Sequence, residues 1–548
     1  MSSISSYELK VIKKCISRVA KGREVVATCI YGSRVAGYNR PDSDIDLLVV
    51  LQDYPYVVKY IYFSESSTKV SALAVDREAL LRDAKSAFLG EFVVGRLLHV
   101  YEPIFNAEFF AMIERTYKRR VILEEVHKMV ESTGVLSTEI IFPLEFVAFS
   151  KIKHRMSMYP NAAYSYYKTY TTSKHNVEFA LEAYRNVLPD IIADDKEELF
   201  VARQDGLLQV SEKCISLEKR RTRLKLMKRL QEFSSYLVHT YAGRKIMHFA
   251  VNEAESKIRR RVGQSMKLPD FMLCPMKAYW RLPEGRLIVD GRNWLDDLAS
   301  TLGRYSISEK RRLGSMDSRT MMYVLKHGSA EYKIAVKELA RSKALKWAML
   351  GLWTASVKRF RMDPLFRLGW EYKAIRYIRT LGLKTPVIEA VVLDRKLLVT
   401  RFLEGVTLAN VITNYIRGKG WDANLISKAG AQIAKIHGVG ATLGNIKPKS
   451  IIVSGKDLYF TDVEQFMFEV GDPAWDIAQF ISWGVKGTRN NMLAATIAKE
   501  FLQGYISVGD TSNITRLAKS NWYLESFYLV LAPSIAQTIK KEVKAIAS

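Results

Sequence analysis

Cysteine is scarce: four residues in 548, Cys15, Cys29, Cys214 and Cys274, far apart and with no CxxC pair. That spacing excludes a disulfide framework and a zinc ribbon and suits a reducing compartment. No stretch approaches the roughly 18 uncharged apolar residues of a membrane span. The opening MSSISSYELKVIKKC lacks the apolar core of a secretory signal. A soluble, cytoplasmic protein with no membrane partner is therefore expected. Internal repeats and low-complexity linkers are missing, so domain boundaries are not punctuated. Glutamine is sparse, a leaning of heat-adapted proteins. Acidic residues are also short, 57 Asp plus Glu against 83 Lys plus Arg, a net charge of +26. Such an excess costs self-repulsion and favours a polyanionic partner, but it names no chemistry.

What is present is a packed protein, with 48% apolar and 11% aromatic residues over a length that suits two to four domains. Periodicity divides the chain into three blocks. Residues 1–105 mix helical patterns with the strand-like runs VVATCIYG, DIDLLVVL and KVSALAVD. Residues 106–304 are mainly helical, with Phe109, Ile113, Tyr117 and Val121 on one face and Leu226, Leu230, Phe233 and Leu237 on another. Residues 305–548 return to strands (TMMYVLKH, YKIAVKEL, KLLVTRFL, SIIVSG, LYFTDV) and finish in helices after about residue 473.

The most specific segment is YGSRVAGYNRPDSDIDLLVV, residues 31–50. A strand runs into Gly32 and Ser33, a short turn or helix start follows, and a second strand carries Asp44 and Asp46. Side chains two apart on a strand share a face, so the two carboxylates can hold a divalent metal together. Gly32 lets backbone approach a phosphate, and Ser33 adds a hydroxyl and an N–H. A calcium loop starting at Asp42 fails, because Leu47 takes its glycine position and Asp53 its final glutamate. A merely solvated acidic turn leaves the upstream Gly-Ser element unexplained.

GSRVAG followed by SDIDLLV resembles the nucleotidyltransferases of the DNA polymerase beta superfamily, in particular the compact branch with GS, a short helix and SDxD. The resemblance implies Mg²⁺ or Mn²⁺ on Asp44 and Asp46, with Asp76 in KVSALAVDRE as the third catalytic carboxylate. It places the triphosphate of an NTP, expected to be ATP, on Gly32 and Ser33, with Arg34 and Arg40 as charge partners. A hydroxyl acceptor would attack the α-phosphate and release pyrophosphate.

In the middle block, PNAAYSYYKTYTTSKH, EKRRTRLKLMKR and KIRRRVGQ interleave tyrosines and cations, as a nucleic-acid contact would. A solvated helix face over a tyrosine core is at least as good a reading, since Arg220, Arg221, Arg223, Lys225, Lys228 and Arg229 surround an ordinary apolar stripe.

The last block places Gly314 in a turn, Lys337 on the third strand in IAVK, Glu371 early in a helix, His437 at a helix end and Asp462 after a strand, with GDPAWDIA beyond. This order resembles the compact atypical kinases of the RIO and KEOPS-associated type and the lipopolysaccharide and aminoglycoside kinases. It implies ATP phosphates on Gly314 and Lys337, Glu371 as the lysine's partner, and Asp462 as a metal ligand. In LGNIKPKSIIV, however, Asn445 replaces the catalytic aspartate and Ser450 the metal-binding asparagine. An amide cannot take a hydroxyl proton as a carboxylate does, which points to a pseudokinase. Asp476 is expected to bond backbone near that loop, and His437 to be a packing residue.

The expected fold class is thus multidomain α/β and α: a nucleotidyltransferase sheet, a helical basic middle domain, and a C-terminal bilobal kinase-like α+β domain. The leading expectation is nucleoside monophosphate transfer to a hydroxyl on RNA, perhaps tRNA-like, or on protein. Two alternatives stand beside it: an ATP-dependent serine/threonine or small-molecule kinase with an accessory nucleotide-binding domain, and a non-catalytic RNA-binding scaffold.

Overall fold

The computed structural model describes residues 4–159, 162–193, 200–202, 206–214, 268–303, 305–313, 319–339, 363–420, 422–469, 471–528 and 531–547. It divides into two compact units, Met1–Ser132 with Ile140–Arg281, and Thr133–Glu139 with Leu282–Ser548. The division differs from the three blocks of sequence.

The first unit opens with helix α1 (Ser6–Ala20), started by a capping box in which the Ser5 hydroxyl accepts from Glu8 N and the Glu8 carboxylate accepts from Ser5 N. Strand β1 (Val25–Tyr31) leads into the single turn α2 (Ser33–Ala36), and β2 (Ile45–Leu51) follows. The hairpin β3 (Val58–Glu65) and β4 (Thr68–Asp76) precedes helix α3 (Arg77–Ser86), and β5 (Tyr101–Phe105) completes the sheet. The strand order is β3-β4-β2-β1-β5, with β2 and β4 parallel and the other pairs antiparallel. Ile45, Leu47, Val49 and Leu51 pack with Val70, Ala72 and Ala74 against Val11, Ile12, Cys15 and Val19 of α1. The period of two therefore leaves Asp46, Ser71 and Tyr62 for the opposite face.

Helix α4 (Ala107–Thr133) buries Phe109, Ile113, Tyr117 and Val121, the stripe read from sequence. With α5 (Leu144–Met158) it surrounds a buried ion network. Glu91 meets Lys151 at 2.5 Å, Arg120 at 2.8 Å and Arg155 at 3.4 Å. Burial opposes its ionisation, but Lys151, Arg120 and Arg155 outweigh that and hold its carboxyl well below the usual range. Removing one partner from such a set strands a buried charge, so the network ties α4 and α5 to the segment that follows α3. Of the predicted middle block, residues 106–132 and 140–281 belong to the same unit as the N-terminal sheet. The block's basic runs around Arg220–Arg229 and 257–264, with Leu226, Leu230, Phe233 and Leu237, lie outside the described residues. Helices α6 (Ala163–Thr172) and α7 (Lys174–Ile192) reach back to α2: the Asn176 amide donates to Ala36 O at 3.0 Å and to Thr169 O at 2.8 Å.

The second unit is built on a six-stranded sheet that begins before residue 305. A short strand β6 (Arg286–Ile288) runs parallel to β10 (Ile388–Val392). The antiparallel strands β7 (Ser306–Leu313), β8 (Thr320–His327), β9 (Ala330–Glu338) and β11 (Leu397–Arg401) complete it, in the order β7-β8-β9-β11-β10-β6. Helix α8 (Pro364–Thr380) belongs to this sheet, and α9 (Ala423–Gly438), α10 (Pro473–Gly484), α11 (Asn491–Ile506) and α12 (Pro533–Ala547) form a helical region. Among the described residues no helix is long and apolar enough to cross a membrane.

Candidate active site

Four sequence-selected residues meet at one end of the first sheet. Gly32 directly follows β1, Ser33 starts α2, Asp44 precedes β2 and Asp46 is its second residue. Antiparallel register sets Asp46 against Tyr31, one residue before Gly32. Gly32 has φ +85°, and a Cβ built there would lie 2.1 Å from Asp46 Oδ2. The carboxylate thus occupies the space that a side chain at residue 32 would need, and only glycine permits it.

Asp46 is largely buried, and burial pushes its carboxyl up to about 6; Arg96 pulls it back down and Asp44 adds to the rise. Among the described residues neither Asp44 nor Asp46 forms a hydrogen bond or ion pair through its carboxylate in the site. Two neighbouring carboxylates that repel one another, one of them desolvated, are a donor set that suits a hard divalent cation. No cluster of three or more His, Cys, Asp or Glu able to hold a metal occurs among the described residues, so other oxygens would have to come from bound phosphates.

Asp76 does not join this pair. Parallel register places Ser71 beside Asp46 and Asp76 beside Leu51, five residues up the strand, or about 16 Å at the rise of a strand. Asp76 instead caps α3, accepting from Ala79 N at 3.1 Å and Tyr54 N at 2.9 Å. Its sequence setting, an acid closing an apolar strand, is equally that of a helix N-cap. Arg34 is likewise directed elsewhere. It donates to Ser43 O at 2.8 Å and pairs with Glu8 at 2.8 Å, which fixes α2 to the turn before Asp44 rather than leaving the guanidinium for phosphate.

The structure adds groups that the sequence reading missed. Arg96 lies near Asp46, donates to Tyr60 Oη at 2.7 Å, and sits 4.6 Å from the Phe92 ring centre and 5.4 Å from that of Tyr31. Its loop is fixed from behind: the Asp83 carboxylate accepts from Leu89, Glu91 and Val94 N at 2.8, 2.9 and 3.0 Å. Nothing local in FVVGRLLHV marks Arg96, because its neighbour is fifty residues away in sequence. The tyrosines of β3 also went unread, although the alternation KYIYFS, in which Ile61 and Phe63 face the core, carries the signal.

The second unit gathers a different set. Lys337 on β9 pairs with Glu371 at 2.8 Å, Asp462 at 2.6 Å and Glu464 at 3.6 Å, and Arg367 meets Glu464 at 3.2 Å. Burial lowers the affinity of Lys337 for its proton, but Asp462, Glu371 and Glu464 overcome it and raise its pKa. Burial lifts Glu371 to about 7, since Glu464 and Asp462 offset much of the attraction of Lys337. Glu464, two residues after Asp462, and Arg367 went unread in the sequence. Gly314 lies outside the described residues. Asp476 accepts from Leu443 N at 2.6 Å and Gly444 N at 2.8 Å and meets His437 at 3.2 Å, so it fixes the loop carrying Asn445. His437 is buried and also bonded to Tyr505 at 2.9 Å. Asn445 Oδ1 accepts from Gln479 at 3.3 Å, and Ser450 is buried.

No curated protein matches the chain. Among solved structures, the chain titled "WaaP in complex with acyl carrier protein" is 11% identical, with a TM-score of 0.26, over 47% of this chain and 98% of that one, too low a score to carry an argument. Residues 13–97 match the family model described as "Polymerase beta, Nucleotidyltransferase", a span that contains Gly32, Ser33, Asp44, Asp46 and Arg96. The likeness to that nucleotidyltransferase family is thus confined to this N-terminal segment, 85 of the 548 residues (97 − 13 + 1).

Proposed function

We propose that the first unit transfers a nucleoside monophosphate from an NTP, with ATP the expected donor, to a hydroxyl on RNA or protein. The observation that carries this reading is the close approach of Gly32 to Asp46, a backbone cradle directly beside a carboxylate pair. Gly32 and Ser33 would bind the β- and γ-phosphates, and Asp44 and Asp46 would hold Mg²⁺ or Mn²⁺. Bound there, the cation would neutralise phosphate charge and make the acceptor hydroxyl more acidic. The hydroxyl oxygen bonds to the α-phosphorus as the bond to the bridging oxygen breaks, and pyrophosphate leaves on the Gly32 side. Ser71, not a carboxylate, stands beside Asp46, so the acceptor's proton passes to solvent. Arg96 favours the ionised form of Asp46 and so offsets part of the burial that opposes it.

The test is to incubate the purified chain with total RNA or cell protein, a divalent cation, and α- or γ-labelled ATP. Transfer of α-label, lost in Asp44→Asn and Asp46→Asn, supports the reading. Transfer of γ-label alone, lost in Lys337→Ala, overturns it in favour of a kinase. RNA binding that survives both sets of variants with no label transferred favours a scaffold.

For the second unit we infer nucleotide binding without efficient phosphoryl transfer. The Lys337–Glu371 pair at 2.8 Å, with Asp462 on the same ammonium, suits ATP phosphates and a cation. Asn445 leaves the usual base position without a carboxylate, which supports the pseudokinase reading.

A further inference from the structure

The sheet that holds Asp46 continues past it to an open edge carrying an unused aromatic surface. Register aligns Tyr62 of β3, Ser71 of β4, Asp46 of β2 and Tyr31 of β1 in one row across the sheet. Tyr62 is 75% exposed and Tyr60 38% exposed. Their rings lie 6.3 Å apart at 12° to one another. Tyr60 is fixed by the Arg96 guanidinium and by an edge-on contact with Phe92 at 6.1 Å. Lys69, which shares the face of Ser71, is exposed and neighbours Ser64 on β3. Two parallel rings, the outer one bare to solvent, with a cation beside them, form a surface on which a base can stack while its phosphate is neutralised.

Reaction geometry selects the occupant. Strand order puts Gly32, at the end of β1, on one side of Asp46 and the tyrosines on the other, two strand spacings or roughly 10 Å away. In-line displacement needs the attacking oxygen opposite the leaving group. If pyrophosphate leaves toward Gly32 and Ser33, the acceptor approaches from the β4–β3 side, where the shelf lies. We propose that Tyr62, backed by Tyr60 and Lys69, stacks the terminal base of a single-stranded RNA acceptor; the proposal rests on the nucleotidyltransferase reading for the position of the leaving group.

The test is fluorescence anisotropy of a short single-stranded RNA with a free 3′ end, measured without NTP, alongside calorimetric titration of tripolyphosphate and ATP. Tyr62→Ala should weaken RNA about tenfold or more, Tyr62→Phe should restore it, and Lys69→Ala should lower the salt dependence by about one phosphate contact. None of the three should change tripolyphosphate or ATP affinity. RNA affinity unchanged in Tyr62→Ala overturns the proposal. So does an equal loss of ATP, which would make the shelf a site for the donor base, and so does undiminished α-label transfer to a protein acceptor. Failure of the underlying reading is seen separately, as triphosphate binding indifferent to Asp46→Asn.

Discussion

Gly32→Ala separates two costs that are usually confounded. Gly32 and Gly37 flank the same short helix and both have positive φ, +85° and +77°. Alanine at Gly37, in the left-handed region, costs roughly 1–2 kcal/mol, and at Gly32, with ψ −158°, it enters a region essentially restricted to glycine at about 1–3 kcal/mol. Only at residue 32 is there a second cost, because the new Cβ would lie 2.1 Å from Asp46 Oδ2, whereas nothing lies within 4 Å at residue 37. Restoring contact to the 3.0 Å that Cβ atoms tolerate means moving the carboxylate or the strand end by about 0.9 Å, from 3.0 minus 2.1. A misplacement near 1 Å can cost about a hundredfold in rate. Gly32→Ala should therefore lose about two orders of magnitude of α-label transfer. Gly37→Ala should keep its activity, and Gly32→Ala, which alone adds the clash, should show the larger drop in thermal midpoint. Equal activity in the two variants, or an inactive Gly37→Ala with Gly32→Ala active, would refute the claim that the Gly32–Asp46 contact shapes the site.

Three further outcomes follow from the geometry. Asp76→Ala should destabilise the first unit by about 0.5–2 kcal/mol through the lost cap while leaving transfer within a few-fold of wild type, read by calorimetry and labelling; abolished transfer would restore Asp76 to the chemistry. Lys337→Met leaves Glu371 and Glu464 buried beside one another, so the second unit should lose about 3–5 kcal/mol in denaturant titrations and ATP binding with it. His99, packed 4.3 Å from the Tyr166 ring with a buried Nδ1 lacking a hydrogen bond, is held neutral by burial, then by Arg155, Lys118 and Arg96, and its pKa lies well below 6.5. The unfolded chain takes up this proton first. The resulting stability is complete above about pH 6.5 and declines as pH falls toward the folded pKa. His99→Phe should show a smaller fall in melting temperature between neutral and mildly acidic pH than wild type, and an identical fall would contradict the assignment.

The local rules were enough for the carboxylate pair and its glycine. Residues 31–50 form strand, turn and strand because β-branched and apolar runs flank Gly32 and Gly37, and two-residue periodicity turns Asp46 away from the core face of Ile45 and Leu47, while Asp44 lies just before the strand instead of on it. The order of Lys337, Glu371, Asp462 and Asp476 along the chain was equally legible, and the structure brings the first three onto one ammonium. Register was not legible. Whether β4 presents residue 71 or residue 76 to Asp46 depends on how two parallel strands slide against each other, which is set by both buried faces together and not by either sequence. Arg96 and Glu91 enter through charges paired across long sequence separations. The unit boundary near residue 282 also escaped the sequence, because β6 and the network around Glu91 redistribute the predicted middle block by packing. The sequence by itself thus determined the strand, glycine turn and strand that carry Gly32, Ser33 and Asp46, since that pattern follows from backbone periodicity. Tertiary structure alone decided that Asp76 stands apart from Asp46 and that Arg96 stands near it, since those are set by register and burial.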